Sequence, residues 1–121
     1  MLKIRKRSGE EVLFDRSKIE KAIEKANASV SAQERLHPAV IEGVARNIEN
    51  TCSNMKTLPT VESVQDMVEY AIAEAGAYRL ARNYAVYRYQ HELMRKANTT
   101  DDKILAILRR SSADAKEENS N

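Results

Sequence analysis

Apolar residues recur at helical spacing in three successive segments of this 121-residue chain, and this recurrence limits the possible folds more than any other feature. Spacings of three, four and seven residues place side chains on one face of a helix, and that face must be buried against another element. The stripes are Ile19, Ala22, Ile23, Ala26 and Val30; Ile41, Val44, Ala45, Ile48 and Cys52; and Val64, Met67, Val68, Ala71, Ile72 and Ala75. We therefore predict a domain in which amphipathic helices share one core.

The residues before the first stripe are predicted to form a β-hairpin. Ile4 and Lys6 alternate with Arg5 and Arg7 along the first strand. Ser8-Gly9 provides a turn, and residues 12–14 supply the returning strand. A further short strand is expected at residues 55–58, before Pro59.

Capping residues mark the ends of the predicted helices. Asp15 or Ser17 is expected to cap the first helix, and Pro38 lies in the first turn of the second. Thr60 is expected to cap the third helix, which Gly76 ends.

A fourth helix is predicted at about residues 78–97. Besides its main stripe it carries Val86, Tyr89 and Leu93 on another face, so contacts on two sides are expected. Residues 98–101 are expected to break it, with a short helix and a flexible connector beyond. The predicted fold class is α+β: a small sheet of about three strands covered by about four helices, with residues 1–97 as the domain and 98–121 as the connector.

Composition excludes several classes of protein. The single cysteine, Cys52, cannot form an intramolecular disulfide and is expected in the core, while two histidines are too few for a usual zinc site. The chain has neither a signal peptide pattern nor about 18 consecutive apolar residues, so a cytoplasmic protein without membrane contact is expected. A net charge of +2 is too small to require nucleic acid as a partner.

Basic residues cluster in the hairpin and at the start of the first helix. A basic strand, a glycine turn and a helix N-terminus together attract anions and suit a triphosphate. The same alternation also occurs on ribbons whose basic face is merely solvated, and the spacing alone leaves both interpretations open.

One sequence pattern resembles the ATP-cone family over about residues 3–95. The pattern begins with Lys6-Arg7-x-Gly9 and continues with Phe14-Asp15-x-x-Lys18-Ile19-x-x-Ala22-Ile23. A helix opening on Val61-x-x-Val64-Gln65-x-x-Val68-Glu69 and a tyrosine-rich last helix complete it. The resemblance implies a domain that binds one or two adenine nucleotides between hairpin and helices.

The resemblance also assigns nucleotide-binding residues. Lys6, Arg7 and Lys18 match residues that meet the phosphates, whereas Ile4, Phe14 and Ile19 match apolar positions that sandwich adenine. Val12 and Asp15 match contacts from the hairpin and the helix start. The remaining matches are Val61, Val64 and Gln65 on the third helix and His91 near a basic position of the last helix. Many family members have Thr or His at the positions of Val61 and Gln65.

Several of these residues have an ordinary structural alternative. Ile4, Phe14 and Ile19 suit a core wall as well as an adenine slot. The tyrosines suit helix packing, and His91 suits an exposed surface.

Catalysis is not expected from this chain. Cys52 has no evident base, and no Ser/His/Asp arrangement or paired carboxylates at catalytic spacing occur. The chain also lacks the Gly-x-x-x-x-Gly-Lys loop of many ATPases, so bound nucleotide is expected to remain unhydrolysed.

The resemblance implies an allosteric role. ATP or dATP, with Mg²⁺, would switch the activity of a ribonucleotide reductase whose catalytic domain follows in the same chain. Association into homo-oligomers is also expected. Residues 99–104 and 117–121 resemble the connector of the anaerobic, glycyl-radical class. The alternatives are a nucleotide-dependent repressor of reductase genes, which would need a zinc ribbon upstream, and a small nucleic-acid or protein-interaction module.

Overall fold

The hairpin and the helices appear in the predicted order. A computed structural model describes the backbone of residues 1–119 and the side chains of residues 1–98 and 103–110. The strands are β1 (Lys3–Arg5) and β2 (Glu11–Leu13), and the helices are α1 (Arg16–Asn27), α2 (Pro38–Ser53), α3 (Val61–Glu74) and α4 (Tyr78–Asn119), with a 3₁₀ turn at Ala32–Glu34.

The hairpin is antiparallel and pairs Ile4 with Val12. Its turn is closed by hydrogen bonds from the Lys6 amide to the Glu10 carbonyl at 2.8 Å and from the Gly9 amide to the Lys6 carbonyl at 2.9 Å. Gly9 has φ +90, a conformation that side-chain-bearing residues rarely adopt. This turn explains why the glycine follows the basic strand.

The third strand predicted at residues 55–58 is wrong. One isolated parallel bridge, between Arg5 and Thr60, joins β1 to the segment before α3, and the Arg5 amide donates to the Pro59 carbonyl at 2.9 Å. Proline has no amide hydrogen to donate, so it cannot extend a ladder. The sheet among the described residues therefore has two strands.

The helix starts follow the expected capping chemistry. Asp15 caps α1 by accepting from the Ser17 amide at 3.0 Å, which excludes Ser17 as the cap. Thr60 and Ser63 form a reciprocal capping box at α3. His37 caps α2 through its Nδ1 atom, which accepts from the Ala39 amide at 3.1 Å, a role that the sequence analysis did not assign.

Most residues of the predicted stripes form or border one buried core, whereas Ala75 of the third stripe is exposed. Ile23, Ala45, Ile72 and Leu80 are each 0% exposed and represent four different helices. Cys52 is buried at 2% exposure, as expected, and desolvation raises the pKa of its thiol. The remaining buried members are Ile19, Ala26, Val30, Ile41, Ile48, Val64, Val68, Ala81 and Tyr84.

The fourth helix departs from its prediction in two respects. Its backbone remains helical through residues 98–101, where a break was expected, and on to Asn119. Asn, Thr and Asp cost a helix less than about 0.7 kcal/mol each relative to Ala, and no Gly or Pro is present to interrupt it. The expected second packed face is also wrong, because Val86, Tyr89 and Leu93 are 48%, 62% and 48% exposed. The side chains of residues 99–102 and 111–121 lie outside the described residues.

The chain divides into two compact units, Met1–Tyr87 and Arg88–Asn121. The first contains the hairpin, α1 to α3, the first turns of α4 and the whole buried core. The second is helical as far as Asn119 and exposes apolar side chains such as Leu93, Met94 and Ile107. No helix among the described residues combines the length and apolar character needed to cross a bilayer.

Candidate functional site

A cavity of about 180 Å³ lies between the hairpin, α1 and α3 in the first unit. Its lining is contributed by Ile4, Lys6, Val12, Leu13, Phe14, Asp15, Lys18, Ile19, Ala22, Val61, Val64, Gln65, Val68 and Tyr84. Ten of the twelve residues predicted to bind nucleotide are in this lining, although they come from three separate parts of the sequence. The fold therefore brings them together, and their contact with a nucleotide stays a prediction.

The walls of the cavity are largely aliphatic and aromatic. Ile4 and Phe14 are partly buried where they pack on the core, and Ile19 and Val64 are 7% and 6% exposed. Apolar walls that face each other with a few polar groups at the edge suit a flat aromatic base. The same side chains therefore pack against the core and form the walls of a candidate adenine slot.

Two lysines reach the cavity from different elements. Lys6 follows β1, and Lys18 lies in the first turn of α1. Their ammonium groups are exposed donors, and the N-terminal end of a helix adds positive potential beside Lys18. The two lysines can therefore hold the phosphates of a nucleotide at this cavity.

Asp15 contributes the negative charge of the lining. Its Oδ1 atom accepts from the Ser17 hydroxyl at 2.6 Å and from the Ser17 amide at 3.0 Å. These hydrogen bonds, with the nearby charges of Lys18 and Lys21, hold the pKa of the Asp15 carboxyl below its usual value. An ionised Asp15 can accept a hydrogen bond from a hydroxyl or amino group, whereas it repels phosphate.

Arg7 faces a second small cavity of about 180 Å³, lined by Arg5, Lys6, Arg7, Thr60, Val61 and Glu62. Lys6 and Val61 line both cavities, so the two adjoin. The Arg7 Nε atom lies 3.3 Å from Glu62 Oε1, and Arg7 Nη2 donates to Gln65 Oε1 at 3.5 Å. Arg7 is thus held against α3 beside the main cavity.

His91, the last predicted site residue, lies on α4 in the second unit and is exposed. Its part in nucleotide binding stays a prediction.

Comparison with known proteins matches the family described as "ATP cone domain" to residues 2–93 of this chain. That range contains the hairpin, α1, α2, α3 and every residue of the cavity lining. The chain belongs to the ATP-cone family. ATP-cones are nucleotide-binding domains with an allosteric, regulatory role, as the resemblance in the sequence had implied.

Curated relatives of this ATP-cone are much longer proteins. The chain is 30% identical over 112 residues to the ribonucleoside-diphosphate reductase subunit alpha of Chlamydia muridarum, a match that covers 86% of the chain and 11% of that protein. It is 33% identical over 95 residues to the vitamin B12-dependent ribonucleoside-diphosphate reductase of Mycobacterium tuberculosis, covering 78% of the chain and 13% of the relative. The chain therefore spans about a tenth of the length of such relatives.

Four residues of the cavity in this ATP-cone were not predicted as site residues: Leu13, Ala22, Val68 and Tyr84. Ala22 and Val68 belong to the predicted helical stripes, and Tyr84 was interpreted as helix packing. Tyr84 is only 3% exposed, so it packs in the core and also closes the cavity. Periodicity shows that such residues face inward and gives no indication of which of them border an empty space.

Two larger cavities of the ATP-cone contain no hairpin residue. One, of about 570 Å³, lies beside the 3₁₀ turn and the start of α4 and includes Arg35, Arg79 and Arg82. The other, of about 600 Å³, is a groove between α2 and α3. Neither joins apolar walls to the two lysines of the motif, so the smaller cavity is the better candidate for the nucleotide.

Proposed function

We propose that this chain is the nucleotide-sensing end of a ribonucleotide reductase, in which ATP and dATP compete for the cavity between the hairpin, α1 and α3. The observation that carries the proposal is that Lys6 and Lys18, from different elements, line one cavity whose other lining residues are mainly apolar. The relatives named above support the reductase context, since both carry that activity in their names.

The size of the cavity indicates how a nucleotide would lie. About 180 Å³ is less than the roughly 300–1,000 Å³ of sites that enclose a whole ligand. We place adenine between Ile4, Phe14 and Val64, with the phosphates extending past Lys6 and Lys18 towards the adjoining cavity at Arg7. Charge-assisted hydrogen bonds from these side chains would supply most of the polar affinity.

Magnesium is proposed to arrive with the nucleotide. No group of three or more His, Cys, Asp or Glu side chains among the described residues could hold a metal ion. Mg²⁺ usually retains several waters and binds phosphate oxygens with one or two carboxylates, so it does not need such a group. The phosphate chain itself would be its main ligand here.

Discrimination between ATP and dATP rests on one hydroxyl. The lining has acceptor oxygens on Asp15, Gln65 and Tyr84. We assign the ribose 2′-hydroxyl to Asp15 or Gln65, because Tyr84 is only 3% exposed. A hydrogen bond left unmade at that position costs about 1–3 kcal/mol, or about 10- to 100-fold in affinity. A larger response requires that the two ligands favour different conformations of the parent enzyme, because a ligand shifts an equilibrium only by its differential affinity.

The context of the domain is also proposed. The chain would be followed by the catalytic domain of the reductase, with residues 98–121 as the connector, in a cytoplasmic enzyme that forms homo-oligomers. Its connector favours the anaerobic, glycyl-radical class, although both relatives named above are diphosphate reductases.

Isothermal titration of the chain with ATP, dATP and GTP, in magnesium buffer at two salt concentrations, tests the proposal. We expect saturable binding of ATP and dATP, modest weakening at higher salt and no binding of GTP. If no nucleotide bound to the folded chain and DNA bound with steep salt dependence instead, the basic hairpin would be a nucleic-acid surface and the proposal would fail.

A further inference from the structure

Glu62 makes a contact that the proposed site does not explain. Its Oε1 atom lies 3.3 Å from Arg7 Nε, although Arg7 is one of the residues expected to meet the phosphates. The Arg7 side chain is 27% exposed, and that of Glu62 is 61% exposed. The cation proposed to receive an anionic ligand therefore already has an anionic neighbour when no nucleotide is bound.

The place of Glu62 makes this contact relevant to the phosphate chain. Glu62 shares the second cavity with Arg5, Lys6 and Arg7, so one carboxylate stands among three cations. Because that cavity adjoins the main one through Lys6 and Val61, a phosphate chain that leaves the adenine slot along Lys6 enters it. The terminal phosphates and the carboxylate would then compete for the same guanidinium.

The chemistry of arginine makes that competition direct. A guanidinium presents its donors as a planar fork that fits either a carboxylate or a phosphate. Nη2 of Arg7 donates to Gln65 Oε1 and its Nε faces Glu62, so a phosphate that binds the guanidinium at Nε must displace the carboxylate of Glu62.

We propose that Glu62 sets the affinity of the site: its carboxylate holds Arg7 in the empty domain and must give Arg7 up when the phosphates bind. The inference rests on the proposed nucleotide-binding function. Glu62 lies in the first turn of α3, where the positive helix end stabilises a carboxylate whether or not Arg7 is bound. The release of Arg7 by Glu62 is therefore inexpensive, and Arg7 can keep its hydrogen bond to Gln65 on α3 while its Nε edge turns to the phosphates.

The test is titration of ATP into Glu62→Gln, alone and combined with Arg7→Ala, at low salt where electrostatic affinity is highest. Glutamine keeps the shape of the side chain and removes its charge. We expect Glu62→Gln to bind ATP about two- to fivefold more tightly than the wild type, the range set by a partly exposed ion pair. In the Arg7→Ala background the same change should give no gain, because the competition no longer exists.

Glu42→Gln is the matched control. Glu42 pairs with Arg46 on α2, its side chain is 55% exposed, and it lies outside both cavities. We expect this variant to bind ATP as the wild type does, and thermal unfolding should confirm that all variants are folded.

The remaining outcomes overturn the proposal in distinguishable ways. A gain that persists with Arg7→Ala would show a general charge effect, and weaker binding by Glu62→Gln would show that the carboxylate contacts the bound ligand or its Mg²⁺ favourably. If the wild type binds ATP but Glu62→Gln is unchanged, only the inference about Glu62 fails. If the wild type binds no ATP, the proposed function fails first.

Discussion

Replacing Lys18 with alanine is expected to weaken ATP binding by about ten- to a hundredfold. Lys18 lines the cavity from the first turn of α1, as Lys6 does from the hairpin. A hydrogen bond to a charged group contributes about 1.5–3 kcal/mol, and each 1.4 kcal/mol corresponds to a factor of ten. Isothermal titration of wild type and variant under identical salt measures the difference.

Lys25→Ala is the control for this prediction. Lys25 lies on the same helix and is exposed, and it does not line the cavity. Its replacement by alanine removes the same charge as Lys18→Ala. The affinity of the Lys25→Ala variant for ATP should stay within about twofold of the wild type, since salt screens an exposed charge that lies away from the phosphates. Equal losses in both variants would indicate that only net charge matters and would exclude Lys18 as a specific contact.

Replacing Leu80 with alanine is expected to lower the free energy of unfolding by about 2–5 kcal/mol. Leu80 is 0% exposed and packs in the core where the first turns of α4 meet the other helices. Truncation removes buried methyl groups and leaves a cavity that close-packed neighbours only partly fill. Equilibrium unfolding in urea, analysed with a common slope, measures the change.

Leu93→Ala offers a comparison on the same helix. Leu93 is 48% exposed, so the same truncation removes little buried surface and should change stability by less than about 0.5 kcal/mol. Similar losses in the two variants would contradict the division between the packed start of α4 and its exposed continuation.

Helix periodicity was sufficient to predict the core. Ile41, Ala45, Ile48 and Cys52 were assigned to one stripe from their spacing, and all four are buried. The reason is physical: a helix fixes which side chains share a face, and aliphatic faces must be buried. Capping also follows from local chemistry, so Thr60 and Gly76 could be placed at the ends of α3 from the sequence.

The errors concern features that local sequence does not determine. A strand needs a partner as well as suitable residues, and the segment before Pro59 makes only one bridge to β1. The spacing of Val86 and Leu93 predicted a second packed face of α4, but both side chains are exposed, because spacing alone does not determine whether a neighbour covers a face. The run of Asn, Thr and Asp near residue 100 is a weak breaker that does not end the helix.

The candidate site was predicted from a family motif rather than from periodicity. The spacing of the basic hairpin alone was also compatible with a solvated face, and Phe14 alone was equally compatible with a core residue. The motif selected Ile4, Lys6, Phe14 and Lys18 together, and the fold places all four on one cavity. The contact between Arg7 and Glu62 depends on how α3 meets the hairpin, so no spacing in the sequence could have indicated it.

The most direct test of the central claim is to locate bound ATP on the chain by NMR. Backbone amide resonances would be assigned and followed during titration with ATP in magnesium buffer. We predict that the largest shifts fall on residues that line the two adjoining cavities, such as Lys6, Lys18 and Val61, with little change in the groove between α2 and α3 at Asn47 and Tyr70. Shifts centred on that groove, or at Arg79 and Arg82, with the hairpin unaffected, would contradict the assignment of the nucleotide site.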